Sequence, residues 1–305
     1  MSIERNKAFI AAGLTAFTYG ATYPVAKSIM PVPMKPYGLT LVRVMGATLL
    51  FWVAALWAPR EKITPKGFLW LFATAVCGAS LNMIFLFKGL SYTSPVNASI
   101  IVLMTPLFVY LNSYIFLRER IRPIRFMGVL MGLLGALLII LSNNSLGKYA
   151  GSIKGDLLVM GSPVVYSLYL IIMGKLTREY HIFTITKWSL FFGVLIVLPF
   201  GYTELTEVPW SHFSTAHFLA LSFLVVGTSF LAVLFTLYAL KYIKASTFSV
   251  FMYLQPIFTM LIIWSVLGQS VHPIQILAML LVFGGCYLAA NDIAIRKSKK
   301  DGTKE

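Results

Sequence analysis

Three basic side chains lie inside long apolar stretches, and they are the groups in this sequence that could bind a charged ligand. Lys27, Arg43 and Lys88 each fall toward one end of a predicted membrane-spanning helix. A cation in hydrocarbon is costly unless its head group reaches the interface or a partner. For Arg43 we expect a structural role, either at the interface or bonded to backbone carbonyls. No carboxylate lies level with Lys27 or Lys88, so these two either reach the interface or bind an anionic group of a solute.

The acidic and histidine residues argue against catalysis inside the apolar stretches. All ten Asp and Glu residues and all four His residues fall in predicted loops or at helix ends. Proton relays in membranes use such groups near the middle of a helix. No spacing typical of a metalloprotease, a serine hydrolase or a phosphate-binding loop is present. We therefore predict that the protein is not an enzyme and has no catalytic residue, cofactor or metal site.

Uncharged polar and aromatic residues recur at helical spacing along six of the predicted helices. Side chains three or four positions apart share one face of a helix. Such stripes also occur where membrane helices simply pack together, so packing is the alternative to the lining of a cavity. Six stripes favour a cavity. Our candidates for contact with a solute are Thr18, Thr22, Lys27, Asn82, Phe85, Lys88, Asn97, Tyr166, Tyr169, Phe235, Ser249 and Tyr253.

Two prolines occupy matching positions in two predicted helices. Pro106 and Pro256 each lie near the middle of an apolar stretch. A proline inside a helix removes one backbone hydrogen bond and leaves a carbonyl free, so it bends the helix or lets it pivot. We predict that the two prolines form a pair of hinges, with a static kink as the alternative.

The composition places these residues in a membrane. The 305 residues are 58% hydrophobic and 11% charged, whereas soluble domains have about 25% charged residues. The mean hydropathy is +0.82. A membrane-spanning helix needs about 20 apolar residues, and helices satisfy their own backbone groups in lipid. We predict an all-α membrane protein with ten transmembrane helices at residues 8–30, 37–58, 68–90, 96–117, 124–142, 156–176, 183–203, 217–240, 245–267 and 274–292.

The positive charge indicates an orientation in the membrane. The formal net charge is +15, but the basic residues concentrate in short loops and in the C-terminal tail, so we expect contact with membrane lipid and none with nucleic acid. Most of them fall on one side if the N-terminus is cytoplasmic. We predict a multi-pass protein of the plasma membrane, the inner membrane of a bacterium, with both termini in the cytoplasm.

The chain contains an internal duplication. Residues 85–123 align without a gap on residues 235–273, which pairs Tyr92 with Tyr242 and Pro106 with Pro256. Five helices per repeat is an odd number, so the two repeats must insert with opposite orientations. The loop after the fourth helix agrees, because RERIRPIR in the first repeat becomes GQSVHPIQ in the second. We predict repeats at 1–142 and 156–292, an external linker at 143–155 and a basic cytoplasmic tail at 293–305.

Short motifs along the whole chain resemble the drug/metabolite transporter superfamily, in its EamA-type branch of ten-helix transporters. They are the G-x-x-Y-P-x-x-K pattern from Gly20 to Lys27, Arg43 in the second helix, the L-R-E-R after the fourth helix, and two segments that end at Pro106 and Pro256. The second repeat departs from the pattern, with Gln269 where the first repeat has Glu119. The resemblance implies a central cavity lined by helices 1, 3, 4, 6, 8 and 9.

The resemblance also implies a secondary transporter, expected to be an exporter, of small organic metabolites such as amino acids or related carboxylates. Transport would follow from alternating access, with the fifth and tenth helices as a scaffold. A lipid-modifying enzyme within the membrane and a membrane scaffold protein are the alternatives. The enzyme would need an acid or nucleophile pair inside the membrane, and the scaffold would not need six polar stripes.

Overall fold

The computed structural model describes residues 3–59, 61–117, 123–141, 151–177, 179–242, 251–268 and 271–301. Nearly all of these residues are helical, and the described ranges contain no strand. Most described helix boundaries lie within a few residues of the predicted ones. The first helix begins at Ile3 and not at residue 8, and the last helix continues to Asp301, beyond the predicted end at residue 292.

The first half of the chain forms helices that begin at prolines. Pro36, Pro65, Pro95 and Pro123 open four of them, which is favourable because the first helical N–H has no partner in a helix. The side chains of Thr64 and Ser94 accept hydrogen bonds from backbone N–H groups three residues later. The helices are α1 Ile3–Ile29, α2 Pro36–Ala54, α3 Pro65–Thr74, α4 Asn82–Tyr92, α5 Pro95–Val102, α6 Thr105–Leu117 and α7 Pro123–Leu141.

The second half follows the same order of elements. Ser152 and Ser214 cap two of its helices, and Ser214 does so in a reciprocal arrangement with His217. The helices are α8 Ile153–Leu176, α9 Ile182–Thr206, α10 Thr215–Ser222, α11 Ala232–Tyr242, α12 Gln255–Leu267 and α13 Pro273–Asp301.

Six of the described helices are long and apolar enough to cross a membrane. α1 is longer than a span, but threonines and tyrosines interrupt its apolar run, and it is not among the six. Many large apolar side chains point outward, among them Leu49 and Leu69, which are 67% and 68% exposed. An apolar exterior of this kind is typical of a surface that lipid covers. The six helices are Pro36–Trp57, Pro65–Tyr92, Pro95–Phe116, Ile153–Leu176, Ile182–Thr206 and Thr215–Thr236.

Two helices contain a wide π-helical segment, and the two segments overlap when the halves are aligned. Residues Ala75–Leu81 join α3 to α4, and residues Phe223–Leu231 join α10 to α11. A π-helical turn adds a residue to the ordinary helical repeat, and such turns are frequent at functional sites. The duplication has therefore kept an irregularity of the backbone and not only a pattern of apolar residues.

The prolines that we predicted within continuous helices instead follow a break. The helix predicted at 96–117 is interrupted at Leu103 and Met104, and the described part of its counterpart is interrupted at Tyr253 and Leu254. The N–H of Met104 donates to the carbonyl of Ile101, and the N–H of Leu254 donates to the carbonyl of Phe251, both at 3.0 Å. Each proline is the second residue of the next helix because it lacks an N–H and its ring clashes with the preceding turn.

Each of the following pairs of packed helices has a corresponding pair when helices of one half are replaced by their counterparts in the other half. α1 packs on α11 and α12, whereas α8 packs on α4 and α6; α2 packs on α9, and α7 packs on α13. At the last pair, a Cβ atom on Gly135 would lie 2.9 Å from the carbonyl oxygen of Ala278. A Cβ atom on its counterpart Gly285 would come closer still to the carbonyl oxygen of Gly128, so neither position has room for a side chain.

Candidate central cavity

A cavity of about 140 Å³ lies between the two halves. Both π-helical segments form part of its wall, with Gly78 and Ala79 from the first half and Thr228 and Ser229 from the second. These four residues correspond to one another across the duplication. The rest of the wall combines apolar side chains with a few polar groups from α1, α2, α4, α8, α9 and α11, among them Tyr19, Arg43, Asn82, Tyr166, Tyr169 and Ser189.

The guanidinium of Arg43 is the charged group of the cavity wall. The residue is 3% exposed, its Nη2 donates to the hydroxyls of Thr228 at 2.6 Å and Ser229 at 3.0 Å, and its Nε donates to Ser229 at 3.2 Å. Both hydroxyls in turn donate to the carbonyl of Leu224. The Cζ atom lies 4.6 Å from the centre of the Phe87 ring. Neutral hydroxyls and one aromatic face therefore fix the side chain without neutralising it.

The corresponding place in the other half carries no charge. Gly193 is the counterpart of Arg43, and a Cβ atom there would lie 2.7 Å from the Cβ of Ala79. Gly78 has the ring of Tyr169 against it, so a side chain at that position would overlap the ring. The backbone is duplicated around the cavity, but the positive charge of Arg43 has no counterpart at position 193.

Two further polar groups of the wall, Asn82 and Ser189, are held by hydrogen bonds between helices. Ser162 donates to the side-chain oxygen of Asn82 at 2.6 Å, and Thr74 donates to Ser189 at 3.1 Å. Tyr166 and Tyr169 stack with their ring centres 5.2 Å apart. The result is a mostly apolar chamber with an aromatic wall and a few fixed polar groups, the usual composition of a site for a small molecule.

Comparison with known proteins identifies the family of this chain. A family model described as the EamA-like transporter family matches twice, over residues 6–141 and 153–291. The chain belongs to this family. The two matches together span most of the sequence, so the resemblance that we inferred from short motifs is confirmed.

Individual relatives of this EamA-like transporter agree with the family. An uncharacterized transporter of Archaeoglobus fulgidus is 26% identical over 84% of this chain and 88% of its own length. The uncharacterized transporter YyaM of Bacillus subtilis (strain 168) is 27% identical over 69% of each chain. A solved crystal structure with 21% sequence identity matches with a TM-score of 0.62 and covers 93% of this chain and 97% of its own, which is a likeness of fold.

The family places the chain among membrane transporters and not among enzymes, as the sequence predicted. It is a multi-pass membrane protein that handles small molecules. Three of our candidates for solute contact, Asn82, Tyr166 and Tyr169, lie on the cavity wall of this transporter. Their contact with a solute stays a prediction.

Lys27 differs from our expectation, because it is not an unpaired cation. Its ammonium donates to the carbonyls of Leu90 at 2.7 Å, Ser91 at 3.0 Å and Thr93 at 2.9 Å. These carbonyls end α4, where the last turn of a helix leaves acceptors without partners and favours a cation. The sequence shows that no carboxylate lies level with Lys27, but it does not show that the end of a neighbouring helix supplies carbonyls there. The role that we expected for Arg43, bonding to backbone carbonyls, therefore belongs to Lys27.

Lys88 also lies away from the described cavity wall. Its ammonium is 4.8 Å from the centre of the Tyr37 ring and 5.6 Å from that of Tyr92. Aromatic faces stabilise a cation without neutralising it. The positions of the two lysines do not support joint binding of one anion, since Lys27 already donates to three carbonyls, whereas the contacts of Lys88 with the described residues are to aromatic faces.

The other candidates occupy packing positions or grooves. Thr18 and Thr22 donate to carbonyls of their own helix, and Asn97 accepts from Gln275 at 2.7 Å. Phe85 covers Gly161, and Tyr253 packs in the core with its ring 4.9 Å from that of Phe283. Phe235 lines a separate groove between α1 and α11, and Ser249 lies outside the described residues. A polar stripe looks the same in sequence whether it faces a cavity or a neighbouring helix.

The structure adds residues that were not among our candidates for contact with a solute. Tyr19 and Ser229 line the cavity. Asp156 is fully buried in the first turn of α8, where its Oδ1 accepts a hydrogen bond from the hydroxyl of Thr93. The position of Asp156 at a helix end agrees with the prediction. Its burial could not be predicted, because acidic residues are common in the first turn of a helix.

Proposed function

We propose that this protein is a secondary transporter built from ten membrane-spanning helices in two inverted five-helix repeats, at 1–142 and 156–292. In this proposal residues 143–155 are external, the basic tail at 293–305 and the N-terminus are cytoplasmic, and the protein resides in a bacterial inner membrane. The exchange symmetry of the helix packing supports the paired repeats. The distribution of Lys and Arg supports the orientation.

The observation that carries the proposal is the cavity between two halves that repeat the same backbone irregularities. Helix breaks precede Pro106 and Pro256, and the two π-helical segments border the cavity. Broken helices around a site between repeats are the usual architecture of transporters that work by alternating access. The halves would rock about the cavity with the two prolines as hinges, while α7 and α13 remain packed at Gly135 and Gly285.

The solute in this proposal is a small organic metabolite such as an amino acid or a related carboxylate, and the direction is export. The cavity is smaller than the roughly 300–1,000 Å³ of typical drug-sized pockets, which favours a small solute. The direction rests on the family resemblance. Neither a cofactor nor a metal enters the mechanism.

A flux measurement with a blocked cavity tests the proposal. Purified protein is reconstituted in proteoliposomes loaded with a mixture of isotope-labelled amino acids and small carboxylic acids, and mass spectrometry follows their release. Ala47 lies on the cavity wall and is 1% exposed, so Ala47→Trp should fill the cavity and stop release. Leu49→Trp, on the outer face of the same helix, should release solute at the parent rate.

Two results would overturn the proposal. The first is an absence of release by the parent protein of every member of the mixture relative to empty liposomes. The second is an equal rate for Ala47→Trp and the parent when both are folded, since solute would then avoid the cavity.

A further inference from the structure

The charge in the cavity has no counterion among the described residues. They form two ion pairs, Lys7 with Glu4 and Lys35 with Glu207, and neither involves Arg43. Arginine remains protonated in proteins. A buried charge is stable in a membrane protein when it is paired, hydrogen-bonded or exposed to a water-filled cavity. Arg43 is only partly hydrogen-bonded, and so an unneutralised positive charge borders the cavity.

One nitrogen of the Arg43 guanidinium lacks a hydrogen-bond partner among the described residues. Nε and Nη2 donate to Thr228 and Ser229, but Nη1 is buried and has no hydrogen-bond partner among the described residues. Nη1 carries two N–H donors. Leaving buried donors unpaired costs about 1–3 kcal/mol, and more for a charged group, so a partner at this position would be favourable. An anionic oxygen is the partner that satisfies both the donors and the charge.

The rest of the wall selects among anions. Tyr166 and Tyr169 stack beside apolar side chains such as Phe51 and Val233. Among the described residues, none that lines the cavity carries a carboxylate. An ammonium group on the solute would therefore find a positive charge and no opposite charge, whereas an apolar body would find matching surface.

We propose that Arg43, held by Thr228 and Ser229, binds the carboxylate of a small organic acid that has a net negative charge and an apolar body. The inference rests on the proposed function and narrows its solute class, because it favours net anions over zwitterionic amino acids. The hydroxyl pair orients the guanidinium so that Nη1 meets the carboxylate, while the apolar part of the acid lies against the tyrosines.

Binding of benzoate and two matched analogues tests this site. Benzoate carries the charge, benzamide has the same shape without it, and 4-(aminomethyl)benzoate adds an ammonium group. Calorimetry on the purified full-length protein in lipid nanodiscs gives the three affinities. We expect benzoate to bind at least about tenfold more tightly than either analogue, which corresponds to roughly 1.4 kcal/mol. Equal affinities for benzoate and benzamide would overturn the proposal.

Three variants locate the effect at Arg43. Arg43→Gln should abolish the preference for benzoate. Ser229→Asp provides a second test if Arg43→Gln fails to fold. It places a carboxylate beside Nε and Nη2 and neutralises the charge of Arg43, so it should also abolish the preference for benzoate. Ser229→Asn, a neutral side chain of similar size, should keep it. A preference that survives in Ser229→Asp would contradict the proposed site.

The flux experiment separates this inference from the proposed function. Release of solutes without a preference for benzoate would leave the transporter standing and remove the anion site. Tight benzoate binding that depends on Arg43, without release of any solute, would support the site and contradict the transport mechanism.

Discussion

The two halves of the cavity wall have the same backbone and different chemistry. On one side Arg43 reaches Thr228 and Ser229; at the corresponding positions on the other side Gly193 packs directly on Ala79. The π-helical segments and helix breaks recur in both halves. The two halves therefore share backbone features, whereas substitution at a few positions has left the charge at position 43 without a counterpart at position 193.

An arginine at Gly193, the counterpart of Arg43, should have the largest effect on folding. Gly193→Arg adds a side chain where a Cβ already lies 2.7 Å from Ala79, and the hydroxyls that hold Arg43 have no counterpart there. An uncompensated buried charge costs about 3–5 kcal/mol, and overpacking adds about 1–3 kcal/mol. We expect little folded protein, measured as the monodisperse fraction after solubilisation.

A pair of alanine variants controls for steric effects. Gly193→Ala should lower the free energy of unfolding by overpacking alone. Gly13→Ala, at a helical position where a Cβ meets nothing within 4 Å, should raise it by about 0.5–1 kcal/mol. A folded Gly193→Arg protein with parent stability would mean that the two sides are not chemically different.

The two lysines near the proposed outer face provide the next contrast. Lys27→Met removes the donor for three carbonyls at the end of α4, and the loss of hydrogen bonds to a charged group should cost about 1.5–3 kcal/mol. Lys88→Met removes a cation from two aromatic faces and should cost about 0.5–1 kcal/mol. Thermal unfolding in detergent measures both. A larger loss for Lys88 than for Lys27 would reverse this assignment.

The sequence was sufficient for the all-helical class and for the family, whose model matches the chain twice, but not for the roles of the cations. Apolar runs of about 20 residues and repeats at a fixed offset can be read directly from the sequence, without knowledge of how the helices pack. The partners of Lys27 and Arg43 lie on other helices, and their positions depend on how the bundle closes. Lys27 takes carbonyls released by the end of α4, and Arg43 takes hydroxyls from a π-helical turn, a feature with no clear signature in the sequence.

Removal of the prolines should have a moderate effect on transport. Pro106→Ala and Pro256→Ala each add an N–H that can bond across the helix break, and one hydrogen bond contributes about 0.5–1.5 kcal/mol. If the breaks are pivots, stiffening them should slow release from proteoliposomes several-fold while folding is retained. Pro199→Ala, in the uninterrupted helix α9, is the control and should leave the rate unchanged. Parent rates in both variants would assign the breaks a purely structural role.

The ion pair between Lys35 and Glu207 should have the smallest effect. Its atoms lie 2.5 Å apart on an exposed surface, and the hydrogen bond to Glu207 raises the pKa of Lys35 above its ordinary value of 10.5. The stabilisation by this ion pair is complete at a pH below 10.5 and is lost as the pH rises through the raised pKa of Lys35. Because salt screens exposed ion pairs, Lys35→Met should have the same unfolding temperature as the parent at neutral pH in high salt. A large destabilisation at pH 7 that salt does not reduce would contradict this.

Access to the cavity from the two sides of the membrane tests the central claim most directly. In protein without Cys77 and Cys286, a cysteine at Ala79 lies on the cavity wall, and a cysteine at Leu49 faces outward. A membrane-impermeant thiol reagent is applied to vesicles of each orientation, and labelling is measured by mass spectrometry. Alternating access predicts that the cysteine at position 79 is labelled from both sides and that the cysteine at position 49 is labelled from neither. Labelling of position 79 from one side alone would contradict the account.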